Sequence, residues 1–92
     1  MKKALKKAFR WKEQKNTWLK EYRDISFEEV VEAISLNLLD ARENRSSRHP
    51  QQKVFIVRIK GYPWVVPFLE TEEEIELITA FPDRRLLKEF KK

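Results

Sequence analysis

The chain predicts an α+β fold: a short N-terminal strand, two helices packed on a three- to four-stranded antiparallel sheet, and a C-terminal helix. Three observations carry this. Ile25-Ser26-Phe27-Glu28-Glu29-Val30 has the spacing of a helix start, Lys53 to Ile59 alternates with the period of a strand, and Lys60-Gly61 supplies the turn between two apolar runs. Ser26 and Glu29 are placed for a capping box, the hydroxyl accepting from the N3 amide and the carboxylate reaching back to the N-cap amide. Ile25 and Val30 stand at the positions of a hydrophobic staple.

Each element follows from the same kind of local reading. Phe9 to Trp11 is a short apolar strand. Residues 13–22 set Lys15, Trp18, Leu19 and Tyr22 at helical spacing, and Arg23-Asp24 ends that helix. The second helix, about 27–36, turns Phe27, Val30, Val31 and Ile34 to one face and Glu28, Glu29 and Glu32 to the other, with acids near the N-terminus where the dipole favours them. Leu38 to about Arg42 is a first meander strand, and 43–52 is a polar loop. In 53–59, Phe55, Val57 and Ile59 share one face and Val54, Ile56 and Arg58 the other. Pairing Ile59 with Tyr62 adds Trp64, Val66 and Phe68 to the Phe55 side, which becomes the core. Pro63 and Pro67 share one parity, so the amides they remove all face the next strand, where a bulge or widened pairing is expected. Residues 75–81 read as that strand, stopped by Pro82. Asp83 then caps a helix with Leu86, Leu87 and Phe90 as its apolar stripe.

Ninety-two residues make a single domain, 1–92, with 1–8 as a basic N-terminal extension, and leave little room for a deep cofactor site. A hydrophobic fraction of 41% with three tryptophans outweighs the 38% charged residues and favours a folded chain. Net charge is +5, distributed as basic blocks at 1–23, 41–62 and 83–92 that alternate with acidic blocks at 24–40 and 63–82. Convergence of the basic blocks on one surface would suit a phosphate-rich partner; the acidic blocks would equally suit a basic peptide, or solvent alone. No cysteine is present, which removes disulfides, thiolate chemistry and cysteine-based zinc sites and fits a cytoplasmic protein. Lysines interrupt residues 1–8 before a signal-like apolar run can form. The longest mostly apolar stretch, Tyr62 to Leu69, has eight residues and two prolines, against the roughly 20 residues a membrane helix needs.

Phe9-Arg10-Trp11-Lys12-Glu13-Gln14-Lys15-Asn16 through Ser26-Phe27-Glu28-Glu29-Val30 resembles the opening of the BrnT-like toxins, components of bacterial type II toxin-antitoxin systems with a RelE-like microbial ribonuclease fold. The resemblance continues through His49-Pro50-Gln51-Gln52-Lys53-Val54-Phe55-Ile56-Val57, Gly61-Tyr62, Val66-Pro67-Phe68 and Phe81-Pro82-Asp83-Arg84-Arg85. It implies metal-independent RNA cleavage that inhibits translation, in which a 2′-hydroxyl attacks the adjacent phosphate to leave a cyclic phosphate and a 5′-hydroxyl. It also implies RNA as substrate, a cognate antitoxin protein as partner, assembly into homo-oligomers or toxin-antitoxin hetero-oligomers, no cofactor, no metal and no membrane.

Such chemistry needs a base for the 2′ proton, cations for the phosphate and an acid for the leaving oxygen. Arg58 interrupts an apolar strand on the face opposite the aromatic core. Arg84 and Arg85 match the family's basic closing pair and would clamp a phosphate. His49, the only histidine, has the side chain whose ordinary pKa suits proton transfer near neutrality; a solvated turn residue is the alternative. Lys12, Lys53 and Lys88 are candidate RNA contacts. Tyr62 and the tryptophans could meet bases, with core packing as their alternative. The acids at 70–74 read as a solvated turn. Two other functions stay open: a non-catalytic nucleic-acid-binding module, and an interaction-type toxin with a protein target such as gyrase.

Overall fold

The computed structural model describes residues 7–43 and 52–90. The predicted helix start forms in full: Ser26 Oγ accepts from the Glu29 amide at 3.1 Å and Glu29 Oε1 accepts from the Ser26 amide at 3.2 Å. Ile25 and Val30 are both buried in the core beneath it. This helix, α2 (Phe27–Asn37), follows α1 (Glu13–Tyr22) and runs without a linker into strand β2 (Leu38–Glu43). Asp24 takes the left-handed conformation (φ 60°) that short polar side chains tolerate, and the chain reverses between the helices there. Of the stripe predicted for α1, Leu19 is fully buried and Trp18 half-buried, but Tyr22 is 68% exposed.

Strand β3 (Lys53–Ile59) and strand β4 (Tyr62–Glu70) form the predicted hairpin in the predicted register, Ile59 opposite Tyr62 and Lys53 opposite Phe68. Lys60 (φ 56°) and Gly61 (φ 79°) both lie in the left-handed region, as a two-residue type I′ turn requires. β2 pairs antiparallel with β3. Strand β5 (Glu74–Leu77) pairs antiparallel with β4.

Two strands enlarge the sheet beyond the three or four antiparallel ones expected. The N-terminal strand β1 (Ala8–Arg10) joins it in parallel with β5, and a two-residue strand β6 (Phe81–Pro82) pairs with β4, giving a mixed six-stranded sheet of order β1-β5-β4-β3-β2 with β6 beside β4. The run 75–81 is therefore not one strand, and Pro82 pairs with Trp64 rather than stopping it. The prolines explain the break. Pro63 and Pro67 offer only carbonyls to this edge, which accept from the amides of Asp83 (3.2 Å) and Ile78 (2.9 Å). Between those bonds the register shifts by one residue, from Phe68↔Leu77 to Trp64↔Pro82, so residues 78–80 interrupt the ladder as a bulge, with Ala80 still buried in the core. The ladder between β4 and β3 is uninterrupted.

The C-terminal helix is also corrected. Residues Arg84–Leu87 form a single 3-10 turn, with the Asp83 carboxylate accepting from the Arg85 amide at 3.0 Å. The amides of Glu89 and Phe90 both return to the Leu86 carbonyl, and only Leu86 of the predicted stripe is buried. Bonds from Arg42 and Arg58 to residues 89 and 90 hold this segment tightly on the sheet, where a continuing α-helix would lead away.

One face of the sheet carries the core. Leu19, Phe27, Val30 and Ile34 of the helices meet Val57, Val66, Phe68 and Leu77 of the strands. Trp11 stacks on Phe27 at 5.5 Å, and Phe55 on Phe68 at 4.0 Å, so the aromatics do form the core side as expected.

Candidate nucleic-acid interface

Arg58 lies opposite Pro63 in the hairpin, and the carbonyl of Pro63 accepts from the Asp83 amide on the other side. One row across three strands thus sets Arg58 and the Asp83-Arg84-Arg85 segment at the same end of the sheet, although they are far apart in sequence. Arg58 is half-buried, and its Nη2 donates to the carbonyl of Phe90. The face around it is therefore partly covered by the C-terminal turn. A guanidinium carries five N–H donors, so one such bond leaves others for a phosphate.

Arg84 and Arg85 differ although they are adjacent. Arg85 sends Nε and Nη2 to the two oxygens of Asp83, each at 3.0 Å. Hydrogen bonding to Arg85 holds the Asp83 carboxyl below the usual range, and the same contact raises the guanidinium. Its fork is engaged by its own neighbour. Arg84 is exposed and has no acidic partner among the described residues.

The other candidates lie elsewhere. Lys53 opens β3 at the far end from the turn, about 17 Å of strand from Arg58. It faces Glu70 at 3.5 Å, and Lys7 binds the same carboxylate at 2.6 Å. That pairing, with Lys7 foremost, lowers the Glu70 pKa. Lys12 is the exposed N-cap residue of α1, without a side-chain cap bond, and Lys88 is exposed beyond the 3-10 turn. His49 lies outside the described residues. Trp64 belongs to the core; Trp11 and Trp18 pack against it half-buried, with Lys15 Nζ 4.0 Å and Arg23 Cζ 4.8 Å from the Trp18 ring.

Sequence reasoning missed two polar residues that organise this architecture. Arg42 binds Asp40 at 2.8 Å and Glu89, lies 5.5 Å from the Phe90 ring, and is raised in pKa by those carboxylates, Asp40 first. The pair Asp40-Arg42, two apart on a strand and so on one face, was the available signal. Asn16 is 1% exposed; it accepts from the Phe27 amide at 2.7 Å and donates to Glu28 at 3.0 Å. That bond is also the first cause of the lowered Glu28 pKa. Its position three residues before Leu19 placed it on the buried stripe of α1.

Two open grooves flank the arginine row. One, of about 600 Å³, lies at the hairpin end with a floor of Ile59, Tyr62, Trp64 and Pro82. The second, about 410 Å³, runs over Val54, Ile56 and Val65 with Arg42 at its rim. Arg85 lines both. Among the described residues no three His, Asp or Glu side chains converge on a metal position, and no helix is long and apolar enough to cross a membrane. No family model, curated protein or solved structure matches the chain.

Proposed function

We propose that this protein is an endoribonuclease toxin of the BrnT-like kind, the toxin of a type II pair, acting on RNA without a metal and silenced by an antitoxin that covers its basic surface. The observation that supports the reading best is the row that brings Arg58 and Arg84 to one end of the sheet from distant parts of the chain. The α+β element order, a strand and two helices followed by the remaining strands of the sheet, supports the reading. On this reading Arg58 and Arg84 hold the negative charge that builds on the phosphate, and Arg85 joins them when Asp83 is released. His49 is the proposed base for the 2′ proton, and Lys12, Lys53 and Lys88 attract the flanking RNA.

The test is incubation of the purified protein with RNA in the presence of a chelator, with mapping of the new ends. Fragments ending in cyclic phosphate, and a loss of about 100-fold or more on Arg58→Ala, are expected. Induced expression without an antitoxin should arrest growth. Intact RNA together with healthy growth, despite soluble folded protein, would overturn the reading. Salt-sensitive RNA binding without cleavage would instead leave the non-catalytic module.

A further inference from the structure

We infer that the hairpin-end groove is a nucleotide subsite, in which an unpaired base of RNA lies on Tyr62 and Pro82 while the adjoining phosphate meets Arg84. This rests on the proposed action on RNA, shares Arg84 with it, and adds a base-binding floor, Tyr62 and Pro82, that the cleavage chemistry does not require. The floor is apolar: the aromatic ring of Tyr62 is half-buried, the pyrrolidine ring of Pro82 is exposed beside it, and Trp64 backs them from the core. Its rim is cationic. Lys60, Arg84 and Arg85 stand against one carboxylate, Asp83, which Arg85 already neutralises through two hydrogen bonds. Lys60 reaches Asp24 only through exposed contacts, 3.1 Å to its carbonyl and 3.5 Å to its carboxylate. Such pairs hold weakly and yield to a competing phosphate.

An apolar ring floor beside a guanidinium with no acidic partner among the described residues matches the two halves of a nucleotide, a π-faced base and an anion one sugar away. A volume of about 600 Å³ accommodates one or two nucleotides rather than a duplex. Arg85 lines this groove and the one on the opposite face, so a single strand turning round the sheet end would stay in contact with cations throughout. An acidic peptide would satisfy the rim but leave the ring floor unused.

Binding of a 2′-O-methyl pentaribonucleotide, which cannot be cleaved, and of the same strand with one internal abasic position tests the subsite. Fluorescence anisotropy gives the affinities, and amide chemical shifts locate the contact. The intact strand should bind about tenfold more tightly, shifting the amides of residues 59–62, 64 and 83–85. Tyr62→Ala should bring the intact strand down to the abasic level without weakening the abasic one, whereas Arg84→Glu should weaken both. Should Tyr62→Ala melt early, Pro82→Ser, at an exposed position, provides the same comparison at little cost to the core. Equal affinity for the two strands, equal competition by hexaglutamate, or shifts confined to other surfaces would overturn the subsite. RNA cleavage persisting in that event would leave the ribonuclease reading standing. Binding at the groove without any cleavage would reject the ribonuclease and keep the subsite.

Discussion

On one face of the sheet, helices and apolar side chains cover Val57, Val66 and Leu77, which are at most 2% exposed; on the other, among the described residues, Val54 and Ile56 lie beneath Phe81, a short turn around Leu86 and the charged side chains of Arg42, Arg85 and Glu89. The first face is closed by apolar contact. The second is closed by charge, through Arg42 to Glu89 and Arg58 to the Phe90 carbonyl. The first face holds the packed core of this small domain, and the second holds its partly exposed charged groups, Arg42 and Arg58 among them. Packing is insensitive to salt and pH, so it suits a scaffold, while exposed ion pairs exchange readily with a charged ligand.

Breaking the packed face should have the largest effect. Phe27→Ala removes a side chain that is fully buried beneath Trp11 and should cost about 3–5 kcal/mol in urea unfolding. A cost below about 1 kcal/mol would show that the helices contribute little to the core. Asn16→Ala should come next, since it leaves the buried amide of Phe27 without its acceptor; about 1–3 kcal/mol is expected, read from the same denaturation midpoints. The smallest effect belongs to the charged face. Asp83 has a carboxyl whose pKa is lowered on folding by Arg85, so it stabilises the fold above the unfolded value near 4, and that contribution fades as pH falls through the lower folded value. Asp83→Asn should therefore lower the melting temperature slightly at pH 7, and the difference from wild type should shrink as the pH falls below the unfolded value. A difference that persists unchanged into acid would place the effect in geometry rather than charge.

What the sequence made legible was local. The capping box, both helices, the alternation of 53–59 and the Lys60-Gly61 turn each depend on residues within a few positions, and each forms as expected. The bulge opposite Pro63 and Pro67 was legible too, because a missing amide acts on the adjacent strand. Long-range pairing was not. Nothing near Phe9 specifies a parallel partner at Ile75, and nothing near Arg84 announces that residues 89 and 90 are tied to Arg42 and Arg58. A short final segment with helical spacing looks the same whether it ends as a helix or is pinned down as a turn. The arginines were legible as residue types, and the pair Asp83-Arg85, two apart like Asp40-Arg42, was a local signal too, whereas Phe90 as the partner of Arg58 lay beyond sequence pattern.

The parallel pairing of β1 with β5 has a kinetic consequence. Its three residue pairs, Ala8 to Arg10 with Glu74 to Glu76, join segments far apart in the chain and close the longest loop in the sheet. The hairpin of β3 and β4 closes over two residues and can form early, whereas β1 gains a partner only after β5 has settled on β4. Unfolding reverses that sequence, so the amides of this edge should exchange with solvent sooner than those of the central hairpin.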